Sequence, residues 1–121
     1  MTRRRMVDRL TETDEDRLAA EIREWADTIP GSVRINEAPD RQRVKLAGAV
    51  RRITIRPVKG FEGMRLLLFD GSGEVSVLFL GRRSIPGLTL GSRLVVEGVL
   101  GRDAGTRQLV NPGFEFVPAA D

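Results

Sequence analysis

The feature that most constrains this chain is an apolar alternation that changes step partway along one run. From Val44 the apolar residues fall at 44, 46 and 50, with Gly48 on the same register, and then at 53 and 55. A strand places successive side chains on opposite faces, so the change of parity needs an irregular residue, and Arg51-Arg52 is where it occurs. A β-bulge or sharp coil there bends one long first strand, which is the geometry that closes a small barrel. Gly48, and Gly98 further on, permit the close backbone approach that such curvature needs.

Four more strands follow by the same logic. Strand two is predicted over about Arg65 to Phe69 and strand three over Glu74 to Leu80, joined by the tight hairpin Asp70-Gly71-Ser72-Gly73. Strand three alternates Val75, Val77 and Phe79 against Ser76, Leu78 and Leu80, so one face lines the core and the other is covered by the linker, the helix or a ligand. The segment Gly81 to Leu88 is too short and too rich in glycine and proline for a full helix and reads as a turn or short 3₁₀ plug. Leu90-Gly91-Ser92 turns into strand four, Arg93 to Leu100. A hairpin over Gly101-Arg102-Asp103-Ala104-Gly105 leads to strand five, Thr106 to about Val117, which contains Asn111-Pro112. The predicted class is all-β, a five-stranded Greek-key barrel with an N-terminal α-helix.

Two segments divide the 121 residues: a tail, amphipathic helix and linker over 1–41, and the barrel over 42–121. Thr13 and Asp16 have capping-box spacing, and acids crowd the next turn, which predicts a helix near 14–28 ended by Pro30-Gly31. Leu18, Ile22, Trp25 and Ala26 share one stripe of it. That stripe docks on the barrel, on another copy, or on a partner protein with Trp25 as anchor. Pro30 to Arg41 reads as a linker or a wrapped extended strand. The run Arg3-Arg4-Arg5 is either a nucleic-acid contact or a solubilising end.

Charge is distributed unevenly along the chain. Residues 1–40 carry seven Arg against ten acids, a net of −3, whereas residues 41–121 carry thirteen Arg or Lys against seven acids, a net of +6. Eighteen of the twenty basic residues are Arg, whose planar fork suits phosphate and stacks on bases. With neither Cys nor His, the chain has no disulfide, no thiolate nucleophile and none of the usual zinc or imidazole chemistry. It also has no phosphate-binding glycine loop followed by Lys-Ser or Lys-Thr, and no nucleophile beside a base. No catalytic residue, metal site or cofactor is expected, and Asp70 is read as a hydrogen-bond acceptor in its hairpin. The positive start lacks a following apolar run, and no window is apolar enough for a membrane helix, so the expectation is a cytoplasmic protein with no membrane partner.

The order Val44-Lys-Leu-Ala-Gly48-Ala-Val50, Phe69-Asp70-Gly-Ser-Gly73, Val75-Ser-Val77, Leu90-Gly91-Ser-Arg-Leu94-Val-Val96-Glu-Gly98-Val99 and Leu109-Val-Asn111-Pro112 resembles the OB-fold nucleic-acid-binding family. It is similar in particular to the domains attached to anticodon-binding, replicative polymerase and fork-remodelling proteins, and to small stand-alone actinobacterial proteins of that type. The resemblance covers about residues 42–118. It departs from the family in the segment between strands three and four, where the usual helix is reduced to Arg82–Leu88, and in having few aromatics on the binding face.

What the resemblance implies is a ligand on strands two and three, flanked by two loops. Near the first loop, Val58 to Gly63, lie Arg52, Arg56, Lys59 and Arg65; near the second lie Arg102 and Arg107, and Arg82 and Arg83 follow strand three. Phe61 either stacks on a base or closes the barrel end. The expected activity is non-enzymatic binding of single-stranded DNA or RNA with little sequence specificity and affinity on the order of micromolar. The alternative is an OB-fold adaptor in a DNA- or RNA-processing complex, or self-association, through Leu18, Ile22 and Trp25.

Overall fold

β1 (Arg43–Ile55) is the spine around which everything else is arranged. The computed structural model describes the backbone of residues 2–117 and the side chains from Asp14 onward. α1 (Thr2–Asp27) comes first, then a 3₁₀ turn at Ile35–Glu37, β1, β2 (Gly63–Phe69), β3 (Glu74–Leu80), β4 (Arg93–Val99), β5 (Gly101–Asp103), β6 (Thr106–Val110) and β7 (Gly113–Val117). The first half of β1 pairs with β4, from Arg43 opposite Val99 to Ala49 opposite Arg93. Its second half pairs with β2, with a register shift between Val50 and Arg52. The predicted bulge is therefore present, and one strand serves two neighbours. Gly48 lies at the crossing: a Cβ there would stand 3.0 Å from the Phe69 carbonyl oxygen, a contact only glycine avoids.

Among the described residues a single sheet runs β5-β6-β3-β2-β1-β4-β7, with β3 and β6 parallel and the other pairs antiparallel. It has seven strands rather than the predicted five, and its ladder is not hydrogen-bonded into a closed barrel. Both corrections have one main cause at Asn111-Pro112. Asn111 takes φ 48°, donates its N–H to the Leu78 carbonyl at 2.8 Å, and accepts the Leu80 N–H on Oδ1 at 2.9 Å. Pro112 then brings no N–H to extend the ladder. The predicted fifth strand thus turns a corner, leaving β6 beside β3 and β7 beside β4. Asn111-Pro112 connects β6, second from one end of the ladder, to β7 at the other end. In addition, Gly101–Asp103, expected as part of a turn, pairs with β6 as a short strand.

The buried face of the coiled sheet carries Leu46, Leu66, Val77, Leu94, Val96 and Leu109, all fully enclosed. Ile35 and Ala38 enter this core from the linker, and Ile85 enters from the segment after β3. That segment contains turns but no helix, and Ile85 makes it the expected plug. The linker is wrapped rather than loose. Its Val33 N–H reaches the Lys45 carbonyl at 2.9 Å and its Arg41 N–H the Leu100 carbonyl at 2.7 Å. Ile35 is held on both sides, its N–H by Asp70 Oδ2 at 2.9 Å and its carbonyl by the Arg107 guanidinium. The other oxygen of Asp70, Oδ1, accepts from Ser72 N, Ser72 Oγ and Gly73 N at 2.8, 2.6 and 3.1 Å. Asp70 is only 1 % exposed, and its role is the hairpin acceptor expected of it.

α1 begins at Thr2, well before the predicted start, and Thr13 lies inside it, so the Thr13 and Asp16 pattern does not mark its N-terminus. Its C-terminal half packs Ala26 on Ala47 and Val95, with Trp25, Ile29 and Val117 around them. Small residues at 26 and 47 let helix and sheet approach closely. Ser32 Oγ closes the helix end by donating to the Ala26 and Ile29 carbonyls, each at 2.9 Å. Among the described residues no helix is long and apolar enough to cross a membrane.

Candidate nucleic-acid interface

Beyond the bulge, the parity of β1 sends Ile53 to the core and Arg52, Thr54 and Arg56 to the opposite face. Arg65 stands across from Thr54 and Leu67 across from Arg52 on β2, and the same face continues through Ser76 and Leu78 on β3 to Gln108 on β6. Arg65 is at the centre of this surface. Its Nη1 donates to Ser76 Oγ at 2.8 Å and to Gln108 Oε1 at 2.6 Å, tying three strands together through side chains. Two depressions flank it. One of about 340 Å³ is bounded by Thr54, Arg56, Pro57, Val58, Gly63 and Leu78. The other, of about 100 Å³, is bounded by Arg52, Thr54, Leu67 and Ser76, and Arg65 lines both.

The β1–β2 connection rises at one end of this face. Val58 and Phe61 exchange two backbone hydrogen bonds of 2.7 and 2.9 Å around Lys59-Gly60, whose φ angles of 49° and 82° make a two-residue hairpin turn of the primed kind. Glycine at the second position removes part of the steric penalty of that turn. Phe61 is 62 % exposed on the hairpin and does not enter the core. Of its two sequence readings, the end plug is not what the fold makes of it.

The nine expected binding residues divide into groups. Arg52, Arg56, Lys59, Phe61 and Arg65 are brought together on the face and its hairpin, and none of the four cations forms an ion pair among the described residues. Arg83 lies close to the hairpin but is paired with Glu62 at 3.0 Å. Arg82 packs its guanidinium over Phe79 and Phe114, 5.8 and 5.4 Å from the ring centres. Arg102 and Arg107 stand opposite each other on β5 and β6, one residue out of phase with Gln108, and both are spent on the linker. Arg102 pairs with Asp40 at 2.9 Å, while Arg107 holds the carbonyls of Ile35 and Asn36. The second loop is therefore tied to the linker and contributes no cation to the Arg65 face.

Sequence reasoning missed Thr54, Ser76 and Gln108. Thr54 and Ser76 were legible as outward positions of their strands, but Gln108 reaches Arg65 only because β6 runs parallel to β3 in one register, with Gln108 opposite Ser76. No local pattern carries that register. The neighbouring Arg51 is not part of this face, since it pairs with Glu74 at 2.9 Å and lies 4.0 Å over the Phe69 ring. Among the described residues no cluster of three or more acidic, His or Cys side chains is placed to hold a metal.

On the helix side, Ile22 is buried against the chain's own sheet, and Trp25 is partly buried with the Arg93 guanidinium 5.1 Å from its ring centre. Leu18 remains 58 % exposed. It borders a groove of about 440 Å³ between α1 and the sheet, lined also by Ile22, Ala49, Phe69 and Leu90. The side chains of Arg3, Arg4 and Arg5 lie outside the described residues. No protein-family model matches the chain, and no curated protein sequence matches it.

Proposed function

We propose that this protein binds single-stranded nucleic acid, without catalysis and with little sequence preference, on the face centred on Arg65. The observation that carries the proposal is the set of four cations with no carboxylate partner among the described residues, Arg52, Arg56, Lys59 and Arg65, beside an exposed aromatic on a hairpin. Elsewhere Arg34, Arg43, Arg51, Arg83 and Arg102 are each matched by an acid, Arg82, Arg93 and Arg107 are engaged by rings or carbonyls, and Arg17, Arg23, Arg41 and Lys45 are spread over α1, the linker and the first half of β1, whereas this face gathers four unmatched cations beside one exposed ring. A flexible strand follows a curved basic face more readily than a rigid duplex does, and one exposed ring offers one stacking platform. An affinity on the order of micromolar follows from few phosphate contacts and one stacked base.

The fold belongs to the same proposal. β6 and β7 together act as the fifth strand of an OB-type Greek-key barrel, with the chain at Asn111-Pro112 completing the circuit that hydrogen bonds leave open. The pairing of β1 with both β2 and β4, and of β3 with β6 in parallel, supports that reading, as does the resemblance in the sequence. In this reading the protein works in the cytoplasm, where such strands are exposed during nucleic-acid processing.

A second reading is an adaptor role, favoured by the apolar groove along α1 with Leu18 and Leu90 exposed at 58 % and 66 %. Fluorescence anisotropy of a labelled mixed-sequence oligonucleotide at two salt concentrations separates the two. Salt-sensitive binding that prefers the single strand over the duplex supports the first; no binding at low salt favours the second.

A further inference from the structure

We propose that Arg65 is a pre-set phosphate fork, with Ser76 and Gln108 as the positioning residues that hold it, and that its ligand is a backbone phosphodiester rather than a base. The inference rests on the function proposed above and names the contact at its centre. A guanidinium has five N–H donors, and both on Nη1 are directed at Ser76 Oγ and Gln108 Oε1. The Nε and Nη2 donors have no acceptor among the described residues, and together they form the side-on edge that grips two oxygens of one anion. The two holding groups are neutral. They fix the plane of the fork without cancelling its charge, as a carboxylate in either place would do.

The surroundings argue for phosphate over a base edge. An arginine that reads guanine is served by a surface on which the base can stack, yet the two depressions beside Arg65 are lined by Thr54, Pro57, Val58, Leu67 and Leu78, with no aromatic ring among them. They suit sugars on either side of a phosphate held at Arg65. Phe61, out on the hairpin, is then a stacking site some way along the strand. Gln108 adds to the same end, because its Nε2 has no partner among the described residues and is a second neutral donor beside the fork.

The test uses the full chain and a labelled oligothymidine, whose base lacks the paired acceptors that guanine offers to arginine. Arg65→Lys keeps the charge but removes the fork, and is expected to weaken binding by about tenfold with the salt slope unchanged. Gln108→Leu releases the fork and is expected to weaken binding by roughly three- to tenfold, with no change of slope. Gln108→Glu supplies a carboxylate to Arg65 and should lower the slope by about 0.7 as that contact is lost. The thermal midpoint of Gln108→Leu should stay near that of the parent; a fall in midpoint with unchanged affinity would assign Gln108 to stability alone and overturn the inference. Parent-like affinity in both Arg65→Lys and Gln108→Leu would overturn the fork while leaving the binding function standing. A loss confined to guanine-containing oligonucleotides would overturn the phosphate assignment in favour of a base. If the parent protein itself fails to bind, the functional reading falls and the fork falls with it.

Discussion

Replacing Asp70 with Ala removes the acceptor that ties the β2–β3 hairpin to the linker. Oδ1 receives three donors from Ser72 and Gly73, and Oδ2 receives the amide of Ile35. Hydrogen bonds to a charged group contribute about 1.5–3 kcal/mol each, but the sum overstates the loss wherever water can replace the carboxylate. Ser72 and Gly73 are half-buried and can be rehydrated, whereas Ile35 is 1 % exposed and its amide would be left without a partner. That orphaned amide costs about 1–3 kcal/mol, and the loosened hairpin brings the expected total to about 3–5 kcal/mol. At roughly 4 °C per kcal/mol for a domain of this size, the midpoint should fall by about 12–20 °C. Asp70→Asn should be intermediate, at about 2 kcal/mol, since one oxygen still serves the hairpin while the amide nitrogen meets the Ile35 N–H donor to donor. Thermal unfolding followed by far-UV circular dichroism measures both. A shift of less than about 4 °C for Asp70→Ala would refute the reasoning, because it would mean that the linker is not anchored through this carboxylate.

Gly48→Ala should destabilise the fold by about 1–3 kcal/mol, measured by urea denaturation, because the new methyl meets the Phe69 backbone rather than a side chain able to move. Phe61→Leu should leave the unfolding midpoint unchanged and weaken oligonucleotide binding by roughly 1–3 kcal/mol, the worth of one stacked base; unchanged affinity would remove Phe61 from the interface. A chain lacking residues 1–30 should still melt cooperatively but bind an apolar-surface dye, since Ala47 and Val95 lose the cover of Ala26 and Trp25. If sedimentation finds both the full chain and this truncation to be well-behaved monomers, α1 has no intermolecular role.

The bend in β1 was legible because it is local: a parity slip at Arg51-Arg52 and a glycine at 48 are enough to place it. The same holds for the Asp70 hairpin and for the end of α1 before Pro30. What escaped the sequence depends on contacts between distant segments. Asn111-Pro112 was visible as a pair, but its effect on the ladder requires knowing that Leu78 and Leu80 lie beside it. The cations illustrate the same limit. Arg52, Arg56 and Arg65 share a face by strand parity, which can be counted, whereas Arg102 and Arg107 turn to the linker because Asp40 and Ile35 pack there, which cannot. Helix start signals at Thr13 misled because an acidic, polar run satisfies the pattern equally well inside a helix.

The central claim is that ligand binding depends on the Arg65 face rather than on basic charge in general. Its most direct test compares Arg56→Gln/Arg65→Gln with Arg3→Gln/Arg4→Gln by anisotropy of a labelled single strand across a salt series, since both pairs remove the same net charge. The first pair is expected to lower affinity by at least about tenfold and to flatten the slope by roughly 1.4, while the second changes either quantity only slightly. Equal losses from the two pairs would contradict the claim, leaving only a generally basic surface.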